Sequence, residues 1–533
     1  MPLSPTLERA IDALKQKGSK LTCDWLLSDA SDARVTTAHA RDGSLIFVVG
    51  SLSQDSRISP QDDWKKYILK RLPPGFTGNI YLFGLGSPTL LTLLLKKYKV
   101  IAFEPDPAVA RQFLSEVEIS PAISDGSLRL LSPWELRETE EKPLSPFLLT
   151  HLPSQRRHPA AYELFKNFLR PIPKLPQEPL RLLIIPPFSG GSLSMGQFLQ
   201  NAAQTLKLNS HLLDWPQELL LASKELAEKP HILELSDSAK KAPALFASAL
   251  EYTLEALEKF KPHLTLALAQ APLDLKALSR LKESNPENQL AFWFVEDYRR
   301  FTYINEIAQA YDLVFHIQGN LLEPQLRNWG MRRAYYLPLA ADDGIFKPQK
   351  SPDRYLTRIS FMGAAYPNRL KIFEELALNL PRTIIKNEDF RIFGSGWNQA
   401  SPSLKKYLFD KGRRVTLEET AWIYAGTEIN LNIHSGEGKG FCPLSQFVNP
   451  RTFEIASTGA FQIVDQRPLL SDLFSSKELA IAQEPENLLE LVEYYLEKEE
   501  LRRKIGQAAR ERVQKEHLYS HRLENIIKLA FTN

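Results

Sequence analysis

The sequence predicts an α/β protein built on parallel sheets, and three observations predict it. From residue 79 onward, short apolar runs of strand length alternate with helix-length amphipathic segments, the order that crossover connections impose on a parallel sheet. Proline-marked joints at 143–187 and 346–353 cut the chain into units of domain size, because proline removes a donor and breaks helices and strands alike. In the C-terminal half, predicted strands end in glycine, asparagine or histidine, and the carboxyl edge of such a sheet is where a ligand sits.

Composition narrows the field. At 533 residues the chain exceeds one ordinary core, so roughly two to four domains are expected. A net charge of +3 gives no support for general nucleic-acid affinity. The two cysteines, Cys23 and Cys442, exclude a disulfide framework or a cysteine-rich metal site and fit a reducing cytoplasm. The first residues lack the basic-then-apolar build of a signal peptide, and no apolar run approaches the roughly 18–20 residues of a membrane span. A cytoplasmic protein is the expectation.

Taken in order, residues 7–17 read as a helix and 43–50 as a buried strand. Residues 79–83 form a strand, Gly84-Leu85-Gly86 a tight turn, 89–97 a helix and 100–103 a second strand ending at Glu104. Glu104 follows Gly84 by 20 residues, the separation at which an acidic residue takes ribose hydroxyls in dinucleotide and S-adenosylmethionine folds. Thr89 stands at the third glycine position, so a purely structural Rossmann-like module is the preferred reading of 1–160. A new series begins at 180–185, with strands at 211–214, 264–268, 291–295, 313–317 and 334–337 and helices at 195–206 and 242–260. A second series follows 353, with strands at 359–362, 391–393, 429–433 and 460–464, an amphipathic helix at 487–496 and a basic helix from Glu499 to the end.

The richest stretch is 435–464. A glycine-containing loop runs into a helix with Asn449 as N-cap, Pro450 at the first helical position and Gly459 at the left-handed stop. Unpaired N–H groups at a helix start favour an anion. Arg451 and Glu454, three residues apart, share a helix face, so one can meet a phosphate while the other meets a hydroxyl. This pattern points to a sugar-nucleotide site.

Several motifs together resemble the bacterial spore-maturation-protein-B (CgeB-type) glycosyltransferases, over roughly residues 180–533. They are Phe-Trp-Phe-Val-Glu-Asp-Tyr-Arg at 292–299, Tyr-Leu-Pro-Leu-Ala-Ala at 336–341, Phe-Met-Gly-Ala-Ala-Tyr-Pro-Asn-Arg at 361–369, Phe-Gly-Ser-Gly-Trp at 393–397, Asn-Leu-Asn-Ile-His at 430–434 and Asn-Pro-Arg-Thr-Phe-Glu at 449–454. The resemblance implies a GT-B fold: an acceptor domain at 178–345, a nucleotide-sugar donor domain at 353–512, and a C-terminal helix at 513–533 packing back toward the first. The region before them is similar to a methyltransferase-like Rossmann module. In the wider group two glutamates eight positions apart mark the donor site. Glu454 takes the second position by resemblance, and the first falls on Gln446, where this chain departs from the pattern.

The resemblance implies hexosyl transfer from a UDP- or other nucleoside-diphosphate sugar to a protein, glycan or lipid-linked acceptor, with no cofactor. A lipid-linked acceptor would bring the chain to a membrane periphery. Two aspartates at the Asp-x-Asp spacing of metal-dependent transferases occur nowhere in the sequence, so a metal-independent mechanism is expected. Helix dipoles and cations would then stabilise the departing diphosphate, at about 1–4 kcal/mol each. Candidate donor-site residues are Gly363, Arg369, Gly394, Gly396, His434, Lys439, Asn449, Arg451 and Glu454. Asp214, Glu296 and Asp297, at strand ends of the first unit, are the candidate general bases. Two other readings compete: an S-adenosylmethionine methyltransferase working through 79–104, and a non-catalytic nucleotide-sugar-binding protein, which Gln446 favours.

Overall fold

The computed structural model describes residues 3–28, 34–138, 146–170, 172–227, 242–319, 322–328, 331, 333–380, 389–436, 438, 440–441 and 446–532. Among them the strands form four sheets. The first is small and antiparallel: β1 (Val35–His39), β2 (Leu45–Val49) and β3 (Leu52–Ser53). The sequence predicts only β2, because β1 is a polar strand with no fully buried residue and carries no apolar signal.

The second sheet is parallel, in the order β6-β5-β4-β7, from β4 (Ile80–Phe83), β5 (Val100–Phe103), β6 (Leu128–Leu131) and β7 (Phe147–Thr150). The N-terminal helix Pro5–Gln16, capped by the Ser4 hydroxyl, contributes Leu7, Ile11 and Leu14 to the core under this sheet. Its Gly84-Leu85-Gly86 turn is already filled. The His151 ring lies 2.5 Å from where a β-carbon on Gly86 would stand. Glu104 is fully buried and accepts the Leu85 N–H at 2.7 Å and the Asp106 N–H at 3.0 Å. The carboxylate that a cofactor reading assigns to ribose is thus spent on the turn's own backbone, and burial raises its pKa to about 7.

The third sheet, also parallel, runs β13-β12-β11-β10-β8-β9. Its strands are β8 (Arg181–Ile185), β9 (Asn209–Leu212), β10 (Leu264–Leu268), β11 (Gln289–Phe294), β12 (Leu313–His316) and β13 (Ala334–Tyr336). Every residue of β10, β11 and β12 is buried, as expected where helices cover both faces. The fourth sheet, β15-β14-β16-β17-β18, comprises β14 (Thr357–Met362), β15 (Phe390–Phe393), β16 (Thr427–Asn432), β17 (Gln462–Asp465) and β18 (Ala480–Ala482), again parallel. Two Rossmann-like parallel sheets in tandem, behind a further parallel unit, give the α/β architecture that the sequence predicts.

The C-terminal segment differs from the single helix expected from Glu499 onward. Helix Glu499–Glu516 packs on helix Pro450–Ser457, and the chain then leaves helical geometry at His517 and Leu518. There it pairs with Ala341: the Ala341 N–H donates to His517 O at 3.0 Å and the Tyr519 N–H to Ala341 O at 3.1 Å. Helix Tyr519–Phe531 then packs on Leu193–Thr205, beside the third sheet. One continuous apolar core therefore joins Phe198 and Trp293 to Phe453 and Tyr519.

Candidate functional site

The carboxyl ends of β14, β16 and β17 carry the polar half of the site. Helix Pro450–Ser457 starts here for local reasons: the Asn449 side chain accepts the Thr452 N–H at 3.1 Å, and Pro450 occupies the first turn. Arg451 lies on its first turn and donates to Met362 O at 2.5 Å and Ile433 O at 2.9 Å. Arg369, on helix Pro367–Asn379, donates to the same Ile433 O at 3.0 Å and to Ala364 O at 2.9 Å. Both guanidinium groups lie over the Phe361 ring, 5.2 Å from its centroid. Neither makes an ion pair among the described residues. Burial pulls the pKa of each below its ordinary value, and Arg451 adds to that effect on Arg369. The pair is a concentration of positive charge held by carbonyls alone.

Gly363 makes room for it: a β-carbon there would lie 2.6 Å from Arg451 Nη1. Gly394 backs onto Gly363, whose carbonyl oxygen would stand 2.6 Å from a β-carbon at 394. Gly396 begins the turn that carries Trp397, and the Trp397 indole N–H donates to Gly363 O at 3.2 Å. Glu454, one turn along from Arg451, accepts the Tyr424 hydroxyl at 3.4 Å. Burial raises its pKa to about 7, against the opposing charge of Arg451.

His434 is fully buried, and both ring nitrogens are engaged: Nδ1 with Asp465 Oδ1, Nε2 with the Asn449 N–H. Burial lowers its pKa to about 4, so the ring is neutral, with its proton on Nδ1. Its part is to fix the residue that starts the helix. Lys439 lies outside the described residues.

The facing half comes from the third sheet. Glu296, just past β11, is half-buried and accepts the Tyr303 hydroxyl at 2.9 Å and the Gln270 side-chain amide. Its pKa is pushed up to about 7 by burial. The Asp297 carboxylate is paired with Arg299 in the loop after β11: it accepts Arg299 Nε at 3.0 Å and Nη2 at 2.6 Å, as well as the Arg299 N–H. Asp214 is exposed and follows β9, the edge strand, with β8 and β10 standing between β9 and β11. Of the three carboxylates, Glu296 is the one gripped by Tyr303 and Gln270.

Two contacts bring the halves together. The Arg300 guanidinium lies over the Tyr366 ring at 5.7 Å, and Arg369 lies over the same ring at 5.3 Å. Gln446 reaches across to Gly319, beyond β12: its Oε1 would be 3.3 Å from a β-carbon there, and that oxygen is buried without a hydrogen-bond partner. Among the described residues no group of His, Cys, Asp or Glu side chains is placed to hold a metal ion. No described helix is long and apolar enough to cross a membrane.

Sequence reasoning missed Gln270, Tyr303, Tyr366 and Asp465. Asp465 had a readable signal, an acidic residue closing a predicted strand. Tyr303 and Tyr366 stand near Glu296 and Arg369 in the chain but in no spacing that marks a site, and Gln270 reaches Glu296 from another strand end.

Residues 369–528 match a family described as glycosyl transferase-like. That match spans Arg369, Arg451 and Glu454. The chain is 26% identical over 221 residues to the spore protein CgeB of Bacillus subtilis (strain 168), covering 40% of this chain and 67% of the relative. Among solved structures, a glycosyltransferase from Rickettsia africae ESF-5 aligns with a TM-score of 0.44 and 13% identity over 67% of this chain and 100% of its own. Sucrose-phosphate synthase from Thermosynechococcus elongatus aligns at 0.46 and 12%, over 67% and 99%. HepE of Anabaena, in complex with UDP and glucose, aligns at 0.44 and 12%, over 66% and 98%.

Proposed function

We propose that the chain transfers a sugar, without a metal ion, from a nucleoside-diphosphate donor to a hydroxyl-bearing acceptor, a protein, a glycan or a lipid-linked precursor, at the cleft between the third and fourth sheets. The observation that carries this reading is the pair Arg369 and Arg451. One buried and one half-buried guanidinium group share one carbonyl oxygen and make no ion pair with a carboxylate among the described residues. Two cations confined in this way favour an anion, and a diphosphate developing charge as the glycosidic bond breaks meets that demand. The glycosyl transferase-like match over the same residues supports it.

In this reading Glu454 accepts the ribose hydroxyls of the donor, and Arg369 and Arg451 take the diphosphate. Glu296 accepts the proton of the acceptor hydroxyl as its oxygen bonds to the anomeric carbon and the nucleoside diphosphate departs. A carboxylate whose pKa lies near 7 is half ionised at neutral pH, which suits a general base. No cofactor enters these steps. The cytoplasm is the compartment in which such donors are met, and the reading places the chain there.

The test is a thermal-shift series with UDP, other nucleoside diphosphates, UDP-glucose and S-adenosylmethionine, followed by an assay for diphosphate release. Stabilisation by UDP that disappears in Glu454→Ala supports the reading. A shift with S-adenosylmethionine alone would replace it with methyl transfer. Donor binding with no release and no transfer would leave a binding protein.

A further inference from the structure

We infer that Gln270 and Tyr303 are positioning residues that hold the Glu296 carboxylate at the cleft by two converging routes. The inference rests on the role given to Glu296 above. Gln270 follows β10, two residues past Leu268. Its backbone φ is +64°, a region that glycine enters freely and side-chain-bearing residues seldom do. The other described non-glycine residues with positive φ, Lys207, Lys261, Asp410 and Lys411, follow a helix or lie in a short 3-10 turn. Gln270 alone among them sits at the carboxyl end of a sheet strand, where ligands are bound. Strain retained at such a place needs a purpose.

The hydrogen bonds supply one. The Gln270 side-chain amide donates to Glu296 Oε1. The Gln270 main-chain N–H donates to the Tyr303 hydroxyl oxygen at 3.0 Å, and that hydroxyl donates to Glu296 Oε2 at 2.9 Å. One residue thus grips both carboxylate oxygens, one directly and one through a buried phenol. The Glu296 main chain is held separately, by the Gln318 amide at 2.8 Å on its carbonyl. Neither rotation of the carboxylate nor drift of the loop is left free. The left-handed turn is what lets a single residue present its main-chain N–H to Tyr303 and its side chain to Glu296.

Both side-chain bonds favour the ionised carboxylate, since each donates to it. The titratable and charged groups that act on Glu296 are Tyr303 and Arg300, and both also favour ionisation. Asp297, next in the chain, is paired with Arg299. Removing either route therefore raises the affinity of Glu296 for a proton, whereas a residue that only filled space would leave it unchanged.

Two variants test this in the full chain. Gln270→Gly keeps the left-handed turn and removes the amide, and Tyr303→Phe keeps the ring and removes the hydroxyl. Diphosphate release from UDP-glucose is followed between about pH 5 and 9, and isotope-edited infrared titration of the carboxyl groups, with Glu296→Gln identifying the Glu296 band, is run without donor. The expected result is an acid limb and a Glu296 midpoint moved up by about half to one pH unit in each variant, with the donor KM within about twofold of the parent. An unmoved midpoint in both variants overturns the inference, whatever happens to the rate. Should the parent chain release no diphosphate from any donor, the proposed transfer fails, and the infrared midpoints still decide the positioning.

Discussion

The Nδ1–H of His434 donates to Asp465 Oδ1 at 2.6 Å, while the opposite ring nitrogen accepts the Asn449 N–H at 2.9 Å. A carboxylate at the end of β17 thereby orients an imidazole at the end of β16, which in turn seats the N-cap of the helix bearing Arg451 and Glu454. Because the folded pKa of His434 is about 4, against 6.5 in its ordinary state, the neutral ring favours folding above pH 6.5. That contribution is lost as the pH falls from 6.5 toward 4, and amounts to about 3 kcal/mol when complete. Urea unfolding at pH 7.5 and 4.5 should show a smaller difference between the two pH values in His434→Gln than in the parent.

Replacing either arginine by methionine should weaken UDP binding by about 10- to 100-fold, the loss of one charge-assisted contact. Stability at pH 7 should hold or rise in Arg369→Met, since a buried cation that makes no ion pair is removed along with its desolvation cost, and should gain less in Arg451→Met, which also removes the charge facing Glu454. Calorimetric titration and thermal unfolding, read together, separate this from simple misfolding. A fall in both would argue that the pair is structural.

Glu454 offers a pH handle on the donor. Its folded pKa of about 7 lies above the ordinary 4.5 because burial disfavours the charge, so the protonated form is retained as the pH falls below 7. UDP affinity should decline in step, as the carboxylate loses its capacity to accept ribose hydroxyls. In Glu454→Gln the affinity should be lower and nearly flat across the same range. The sign for stability is opposite: the parent loses stability as pH rises from 4.5 through 7, by up to roughly 3 kcal/mol, and the glutamine variant does not.

The first parallel unit should bind neither S-adenosylmethionine nor a dinucleotide, because its turn is occupied by His151 and Glu104. Gly86→Ala forces a β-carbon to within 2.5 Å of the His151 ring in a left-handed backbone conformation. It should cost about 2–4 kcal/mol in chemical denaturation, combining overpacking and backbone strain.

How much of this was legible before the structure depends on the range of the interaction. The Asn449-Pro450 start and the strand-length apolar runs are local signals, and the elements they predict stand within a residue or two of place. Arg451 and Glu454 were readable because three residues of helix fix their relation. The fates of Glu296 and Asp297 were not. Adjacent in sequence and alike in chemistry, they diverge because Arg299 lies within reach of one and Tyr303 and Gln270 close on the other. The left-handed conformation of Gln270 has no signature in residue type at all. The break at His517 escaped for a similar reason, since it is made by Ala341, more than a hundred residues earlier.

That break has a mechanical meaning. The polypeptide passes between the third and fourth sheets twice, once after Ala341 and again at His517 and Leu518, and the two crossings are bonded to each other. With the apolar core that runs on between the two sheets, they fix Glu296 in one half relative to Arg369 in the other by chain, hydrogen bond and packing at once.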